Sequence, residues 1–182
     1  NKSDPSGYIS LGGLSVGLSI SINLQVARIG AQFAISRAAG GAALRALGLY
    51  VERSVGIILA RVLGTAAVRQ RGVWLVGQGG RRVLDFWLQV GQRVAILEVK
   101  YKVPTKAGPA LARLVGQMRT ALTAEEASRA GAQVVLFTYR APSAAQMRLL
   151  LEALGSSASS IQHIHGFTGL IQWARMFFLP IP

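Results

Sequence analysis

The sequence predicts an α/β fold, and three segments carry this prediction. Apolar residues recur at helical spacing between Ala42 and Val68. Strands rich in β-branched and aromatic residues lie on both sides of Gly91-Gln92, and Gln133 to Tyr139 is a further apolar strand. In chain order the predicted elements are a helix, three strands, a helix, a strand and a helix. A chain of 182 residues is long enough for one domain with a buried core.

The first predicted helix carries an apolar stripe, which consists of Leu44, Leu47, Val51, Val55, Ile58 and Val62. Glu52 lies beside this stripe and is the only carboxylate of the helix. It is either part of a functional site or the ion-pair partner of a neighbouring arginine. A short strand from Val73 to Val76 follows, and Gly77 to Gly80 form its turn.

The next two strands form a predicted hairpin with Gly91-Gln92 as its two-residue loop, because glycine tolerates the positive φ of a tight turn. In this register Val90 lies opposite Arg93, and Asp85 lies opposite Glu98. Directly opposed side chains share one face of the hairpin. Lys100 follows Glu98 by two residues and therefore lies on that face as well.

Two adjacent carboxylates repel each other unless a proton or a cation joins them. Hard oxygen ligands at this spacing suit Mg²⁺ or Mn²⁺. The structural alternative is an Asp–Lys or Glu–Lys pair on a solvated sheet face. Val94 and Ile96 precede Glu98 on its own face and argue against that alternative.

The second half of the chain predicts alternating helices and strands. Pro109 to Leu122 is a helix with proline at its first position. Thr123 to Glu126 has the sequence of a capping box that begins another helical stretch. Ser143 to Gly155 is a helix with a serine cap and a glycine stop. Gly155 to Ser160 is predicted to be a loop, and the aromatic tail from Ile161 to Pro182 is predicted to pack in the core.

The composition favours a polyanionic partner. Twenty Lys and Arg stand against seven Asp and Glu, which gives a net charge of +13, and sixteen of the cations are arginines. The chain has no cysteine and only two histidines, so zinc chemistry is not expected. Residues 1–43 form an apolar extension. Within it Leu14 to Val26 alternates strictly, which is typical of a strand of the fold or of a segment that contacts a membrane or a partner.

The residues Asp85 and Glu98-Val99-Lys100, at the end of an apolar strand, resemble the core motif of the PD-(D/E)XK, or restriction-endonuclease-like, nuclease superfamily. Leu84 stands where many members have proline. The resemblance implies an αβββαβα core over residues 44–182, with a mixed central sheet flanked by helices. It also implies metal ligation by Asp85, Glu98 and the main-chain carbonyl of Val99, and a catalytic role for Lys100. Glu52 would complete the site, and Gln117 matches a position that is often polar.

These features predict a metal-dependent endonuclease that uses Mg²⁺ or Mn²⁺ and cuts DNA, with tRNA as the alternative substrate. The cations that could hold the phosphate backbone are Lys102, Lys106, Arg113 and Arg119. For each of them alone, the alternative is a solvated surface charge.

The start at Asn1 without a signal peptide is expected of a fragment or a processed piece. Together with the size and charge, it resembles the C-terminal toxin domains of bacterial polymorphic toxins. Such a domain is delivered from a bacterium, acts in the target-cell cytoplasm and is neutralised by an acidic immunity protein. The competing hypotheses are a non-catalytic nucleic-acid-binding protein and a membrane-active protein that uses Leu11 to Ala43, although no stable membrane span is expected.

Overall fold

The computed structural model describes residues 40–179 as a mixed sheet with helices on both faces. The strands are β1 (Val68–Gly77), β2 (Gly80–Val90), β3 (Arg93–Lys100), β4 (Gln133–Thr138) and β5 (Ile161–His165). The helices are α1 (Gly40–Leu63), α2 (Pro109–Thr123), α3 (Glu125–Arg129), α4 (Ala144–Leu154) and α5 (Gly166–Phe178).

The described part of the sheet has five strands in the order β1-β2-β3-β4-β5. The first three strands pair antiparallel, while β4 pairs parallel to both β3 and β5. Val90 lies opposite Arg93 and Phe86 lies opposite Leu97, so the predicted hairpin register is confirmed over the five pairs between these limits. The pairing ends there and does not include the predicted pair of Asp85 and Glu98. Gly91 has a φ of 58°, as the two-residue turn requires.

Two apolar cores lie on the two faces of the sheet. Helices α1 and α5 cover one face, and α2, α3 and α4 cover the other. Strand β3 is buried on both faces: Leu97 points into the first core and Ile96 into the second. Because residues Val94 to Val99 of this central strand are all buried, a charged residue among them is removed from water by the fold itself.

Two boundaries of the first half differ from the prediction. Helix α1 ends at Leu63 and does not continue to Val68, because Gly64 adopts a φ of 89° that a helix does not accommodate. Val68 instead begins β1, which is longer than the predicted strand from Val73 to Val76. At its other end α1 begins at Gly40, two residues before the predicted Ala42.

The two predicted helix caps have different outcomes. Ser143 caps α4 in a reciprocal capping box with Gln146, as predicted. The capping box at Thr123 is wrong, because Ala124 holds the N-cap position of α3 without a side-chain bond. The Thr123 hydroxyl instead accepts the main-chain N–H of Gln78 at 2.7 Å, which ties the β1–β2 turn to the end of α2.

The C-terminal segment contains more structure than the sequence predicted. Its aromatic residues Phe167, Trp173 and Phe178 are buried, which confirms the predicted core packing. They belong to α5, which follows the unpredicted strand β5. The predicted loop from Gly155 to Ser160 is a stretch of 3₁₀ helix. Most of the apolar extension, residues 1–39, lies outside the described residues together with its alternating segment.

No helix within residues 40–179 is long and apolar enough to cross a membrane.

We expect Gly79→Ala to destabilise the fold, because a Cβ at this position would overlap the main-chain oxygen of Gly116 on α2. Backbone must move to make room, which costs roughly 1–3 kcal/mol. The matched control is Gly48→Ala on α1, where a Cβ meets nothing within 4 Å. In a helix interior this replacement stabilises by about 0.5–1 kcal/mol. Urea denaturation measures both, and a Gly79→Ala variant as stable as the parent would contradict the tight packing of the turn.

Candidate active site

The backbone of β2 is irregular at Asp85. Residues two apart in a regular strand point to the same side of a sheet, but Leu84 packs in the core under α2 and Phe86 packs in the core under α1. The β2–β3 pairing ends at Phe86 and Leu97, and on the β1 side the paired residues skip Gly72, which has a φ of 64°. The strands therefore separate beside Asp85 and open space at the end of β3.

The Asp85 carboxylate occupies this gap. Its Oδ2 accepts the main-chain N–H of Val99 at 2.6 Å, in place of a strand partner. This bond fixes the carboxylate against β3 and keeps it within the same site as Glu98 and Lys100. The sequence placed these three residues together, and the structure brings them together.

Glu98 is fully buried, with none of its surface exposed. Its Oε1 accepts from the ammonium group of Lys100, whose side chain remains 31% exposed. By geometry Oε2 has no hydrogen-bond donor, although the adjacent Gln117 side chain lowers the pKa of Glu98. Gln117 donates from its amide to the carbonyl of Val83 at 2.8 Å, and its own Oε1 is likewise buried without a partner. A buried carboxylate oxygen without a partner is costly and marks a position where a proton or a cation would be stabilising.

A cleft of about 530 Å³ opens over Asp85 and Lys100, and we call it the active-site cleft. Its lining residues are Arg45, Gly48, Leu49, Glu52, Asp85, Val99, Lys100, Tyr101, Lys102 and Arg113. Glu98, which is fully buried, and Gln117 are not among its lining residues. Glu52 thus lies in the cleft, as the resemblance implied. Three cations besides Lys100 line the cleft, namely Arg45, Lys102 and Arg113. Lys102 and Arg113 were predicted from the sequence.

Arg45 is the cation that the sequence reasoning missed. It precedes Glu52 by seven residues, which is close to two turns of α1, so both side chains lie on one helical face. The seven-residue spacing could therefore have predicted from the sequence that Arg45 lies in the same cleft as Glu52. Two predicted cations do not line the cleft: Lys106 lies exposed before α2, and Arg119 donates to the carbonyl of Ala153 on α4 at 3.0 Å.

The carboxylates of the site hold their protons more tightly than usual. Burial raises the pKa of Glu98 to about 8, although Lys100 lowers it, and Asp85 raises it further. Burial also raises the pKa of Asp85 against the opposing effects of Lys100 and the Val99 N–H. The pKa of Glu52 is raised by burial first and by Asp85 second. In the absence of a cation, burial therefore favours the protonated form of these carboxyl groups.

The carboxylates of the site provide some of the ligands that a small hard cation needs. Within residues 40–179 no three His, Cys, Asp or Glu side chains come close enough to form a metal-binding group. Mg²⁺ is commonly bound by only one or two carboxylates and completes its shell with water and phosphate oxygens. Asp85 and Glu98 meet that smaller requirement, and the unpartnered Oε2 of Glu98 is an available ligand atom.

Comparisons of the chain with protein-family models, with curated proteins and with solved structures found no match.

The raised pKa of Glu98 predicts that the metal-free protein loses stability as the pH rises from 5 to 8. The folded chain binds this proton more tightly than the unfolded chain, whose Glu98 pKa is near the ordinary 4.5. The stabilising contribution is therefore complete below that value and is lost as the pH rises toward 8.

Glu98→Gln removes this dependence, because the amide does not ionise. The variant should gain on the order of 1 kcal/mol or more over the parent between pH 5 and pH 8. Glu152→Gln, on the exposed surface of α4, is the control and should follow the parent. Denaturation in EDTA at several pH values gives the comparison, and parallel curves for all three proteins would contradict a buried, proton-binding Glu98.

Proposed function

We propose that this chain is a metal-dependent nuclease of the PD-(D/E)XK type. The observation that carries the proposal is the buried Glu98, whose Oε2 has no partner and whose Oε1 accepts from Lys100, which lines the active-site cleft together with Asp85. A purely structural acid–lysine pair has no need of a second carboxylate beside it, since that carboxylate raises the pKa of the first. A cleft rimmed by Arg45, Lys102 and Arg113 suits a phosphodiester.

The element order supports the finer assignment of the fold. From α1 to α4 the chain runs helix, three strands, helix, strand, helix, with the short α3 added after α2. This is the αβββαβα order of a restriction-endonuclease-like core, and β5 with α5 extends it.

Asp85, Glu98 and the main-chain carbonyl of Val99 would hold Mg²⁺ or Mn²⁺, which when bound activates a water and offsets the charge of the phosphate. The chain itself orients these groups. The Val99 N–H holds the Asp85 carboxylate, and the Gln117 amide, fixed on Val83, borders Glu98.

Lys100 brings a cation into the cleft at the point where negative charge grows in the transition state. Its ammonium is already positioned by Glu98, so little reorganisation accompanies the reaction. Arg45, Lys102 and Arg113 lie further out on the rim and hold the backbone on either side of the scissile bond. Glu52 faces the same cleft from α1 and is the candidate for a third acidic group.

DNA is the preferred substrate in this proposal, with tRNA as the alternative. The biological role as a delivered antibacterial toxin, neutralised by an acidic immunity protein, rests on the resemblance and on the net charge of +13. An acidic partner would complement the cationic rim of the cleft.

Asp85→Asn and Glu98→Gln should each abolish cleavage of plasmid DNA and tRNA in Mg²⁺, and EDTA should abolish cleavage by the parent. Both variants keep the shape of the side chain and remove its charge. Glu125→Gln is the control, because that carboxylate is exposed on α3 and pairs only with Arg129 among the described residues. The readout is conversion of supercoiled plasmid and of intact tRNA on gels.

Binding measured in EDTA separates the classes of function. Asp85→Asn with full binding and no cleavage supports the nuclease. Binding by all proteins with cleavage by none identifies a non-catalytic nucleic-acid-binding protein, and full cleavage by both site variants would exclude the proposed catalytic pair.

Lys100→Ala should lower the single-turnover rate by on the order of 10²-fold, as for the loss of other single electrostatic stabilisers. Lys102→Ala is the matched comparison, since it removes a lysine two residues along that also lines the cleft. It should weaken binding, most clearly at high salt, and leave the rate at saturation nearly normal. Rates and binding curves at two salt concentrations measure both, and full rescue of Lys100→Ala by saturating substrate would reduce it to an ordinary phosphate contact.

A further inference from the structure

A second cleft, of about 750 Å³, opens where β5 joins α5, and we call it the flanking cleft. Its polar lining includes Tyr139, His163, His165, Thr168 and Gln172. Both histidines of the chain therefore lie in one cleft, although neither was assigned a function from the sequence.

The strand register aligns this cleft with the active-site cleft. Lys100 on β3 pairs with Thr138 on β4, which pairs in turn with His165 on β5. Because neighbouring strands lie roughly 4.8 Å apart, Lys100 and His165 are about 10 Å apart along this row. The row one step back runs from Glu98 through Leu136 to His163 in the same way. The carboxyl ends of the three parallel strands thus lie side by side, with the polar residues Lys100, Thr138 and His165 in one row.

The two clefts also share a wall. Tyr101 lines the active-site cleft and Tyr139 lines the flanking cleft, and their rings stack with centroids 5.8 Å apart. The main chain fixes this arrangement, because Tyr139 N–H donates to the Lys100 carbonyl and Arg140 N–H donates to the Tyr101 carbonyl. The Arg140 guanidinium lies 5.7 Å from the Tyr101 ring and adds a cation at the wall. A chain leaving one cleft across this wall enters the other.

The two imidazoles are oriented by the fold. His163 Nε2 shares a hydrogen bond of 2.9 Å with the hydroxyl of Thr138, and the His163 and His165 rings lie 6.3 Å apart with an interplanar angle of 21°. Burial, and then the neighbouring His165, lower the pKa of His163. Burial thus favours the neutral form of this ring, whereas His165 is exposed to an incoming ligand.

The chemistry of the flanking cleft suits a phosphate group. Its described lining residues include no aspartate or glutamate. The first residues of α5, from Gly166 to Thr168, lie in the lining, so main-chain N–H groups at the start of a helix are available beside the imidazoles.

We propose that the flanking cleft binds the phosphate of a nucleotide adjacent to the scissile bond, on a strand that crosses the Tyr101–Tyr139 wall. This inference rests on the proposed nuclease function and names a positioning site for its substrate. His165 and Arg140 are positioning residues in this arrangement. They bind the strand and take no part in the bond that breaks.

The test compares an oligonucleotide with bis(p-nitrophenyl) phosphate, a diester that has no flanking nucleotide. His165→Ala and Arg140→Ala should each weaken binding of a fluorescent oligonucleotide in EDTA by about tenfold, the value of one hydrogen bond to a charged group. Both should raise KM for oligonucleotide cleavage in Mg²⁺ with little change in kcat. Hydrolysis of bis(p-nitrophenyl) phosphate should stay at the parental rate. Arg148→Ala, which removes an exposed cation from α4, is the control for net charge.

The outcomes separate the two proposals. If both variants keep the binding and the KM of the parent, the proposed phosphate site in the flanking cleft is wrong. An equal loss of rate on both substrates would also contradict it, because that result indicates damage to the active-site cleft. If the parent protein hydrolyses neither substrate, the nuclease assignment is wrong. The binding comparison in EDTA then still decides whether the flanking cleft binds a phosphate.

Discussion

The hydrogen bond from the Val99 N–H to the Asp85 carboxylate is the contact on which the candidate site depends. It replaces a main-chain ladder bond at the place where β2 and β3 separate, so the loss of regular pairing does not leave the Val99 N–H unsatisfied. The same departure from β-geometry turns Leu84 and Phe86 to opposite faces and allows both cores to be filled. The irregularity therefore serves the packing and the cleft at once.

Glu98, in contrast, lowers the stability of the fold while it provides a group of the candidate site. A carboxylate at the centre of a strand that is buried on both faces is costly, and Lys100 offsets only one of its two oxygens. An apolar side chain of similar volume would suit this position better for folding alone. The retained cost is what makes Glu98 informative about function, since perturbed ionisable groups in clefts cluster at sites of chemistry.

The sequence predicted the hairpin because a two-residue loop fixes the register of the paired residues, from Val90 and Arg93 to Phe86 and Leu97. Asp85 and Glu98 lie one position beyond this pairing, where Asp85 accepts the Val99 N–H instead. The sequence did not predict that Glu98 is fully buried, since this depends on α2 and Gln117 reaching the sheet from far along the chain. Arg113 and Arg119 were predicted together, but six residues along a helix place them on different faces. One faces the cleft and the other binds α4. The β5–α5 unit was missed because a five-residue strand with two histidines lacks the apolar character of β4.

The mixed sheet also has a consequence for the order of assembly. Closing the hairpin brings together residues separated by a two-residue loop, whereas pairing β3 with β4 requires the whole connection through α2 and α3 to be closed first. Local contacts of this kind form readily, and distant parallel pairing is slow. Asp85 and Glu98 therefore become neighbours while water still surrounds them. They lose this water when α2 and β4 dock. The repulsion between the two carboxylates therefore slows the late, long-range step of folding and does not hinder formation of the hairpin.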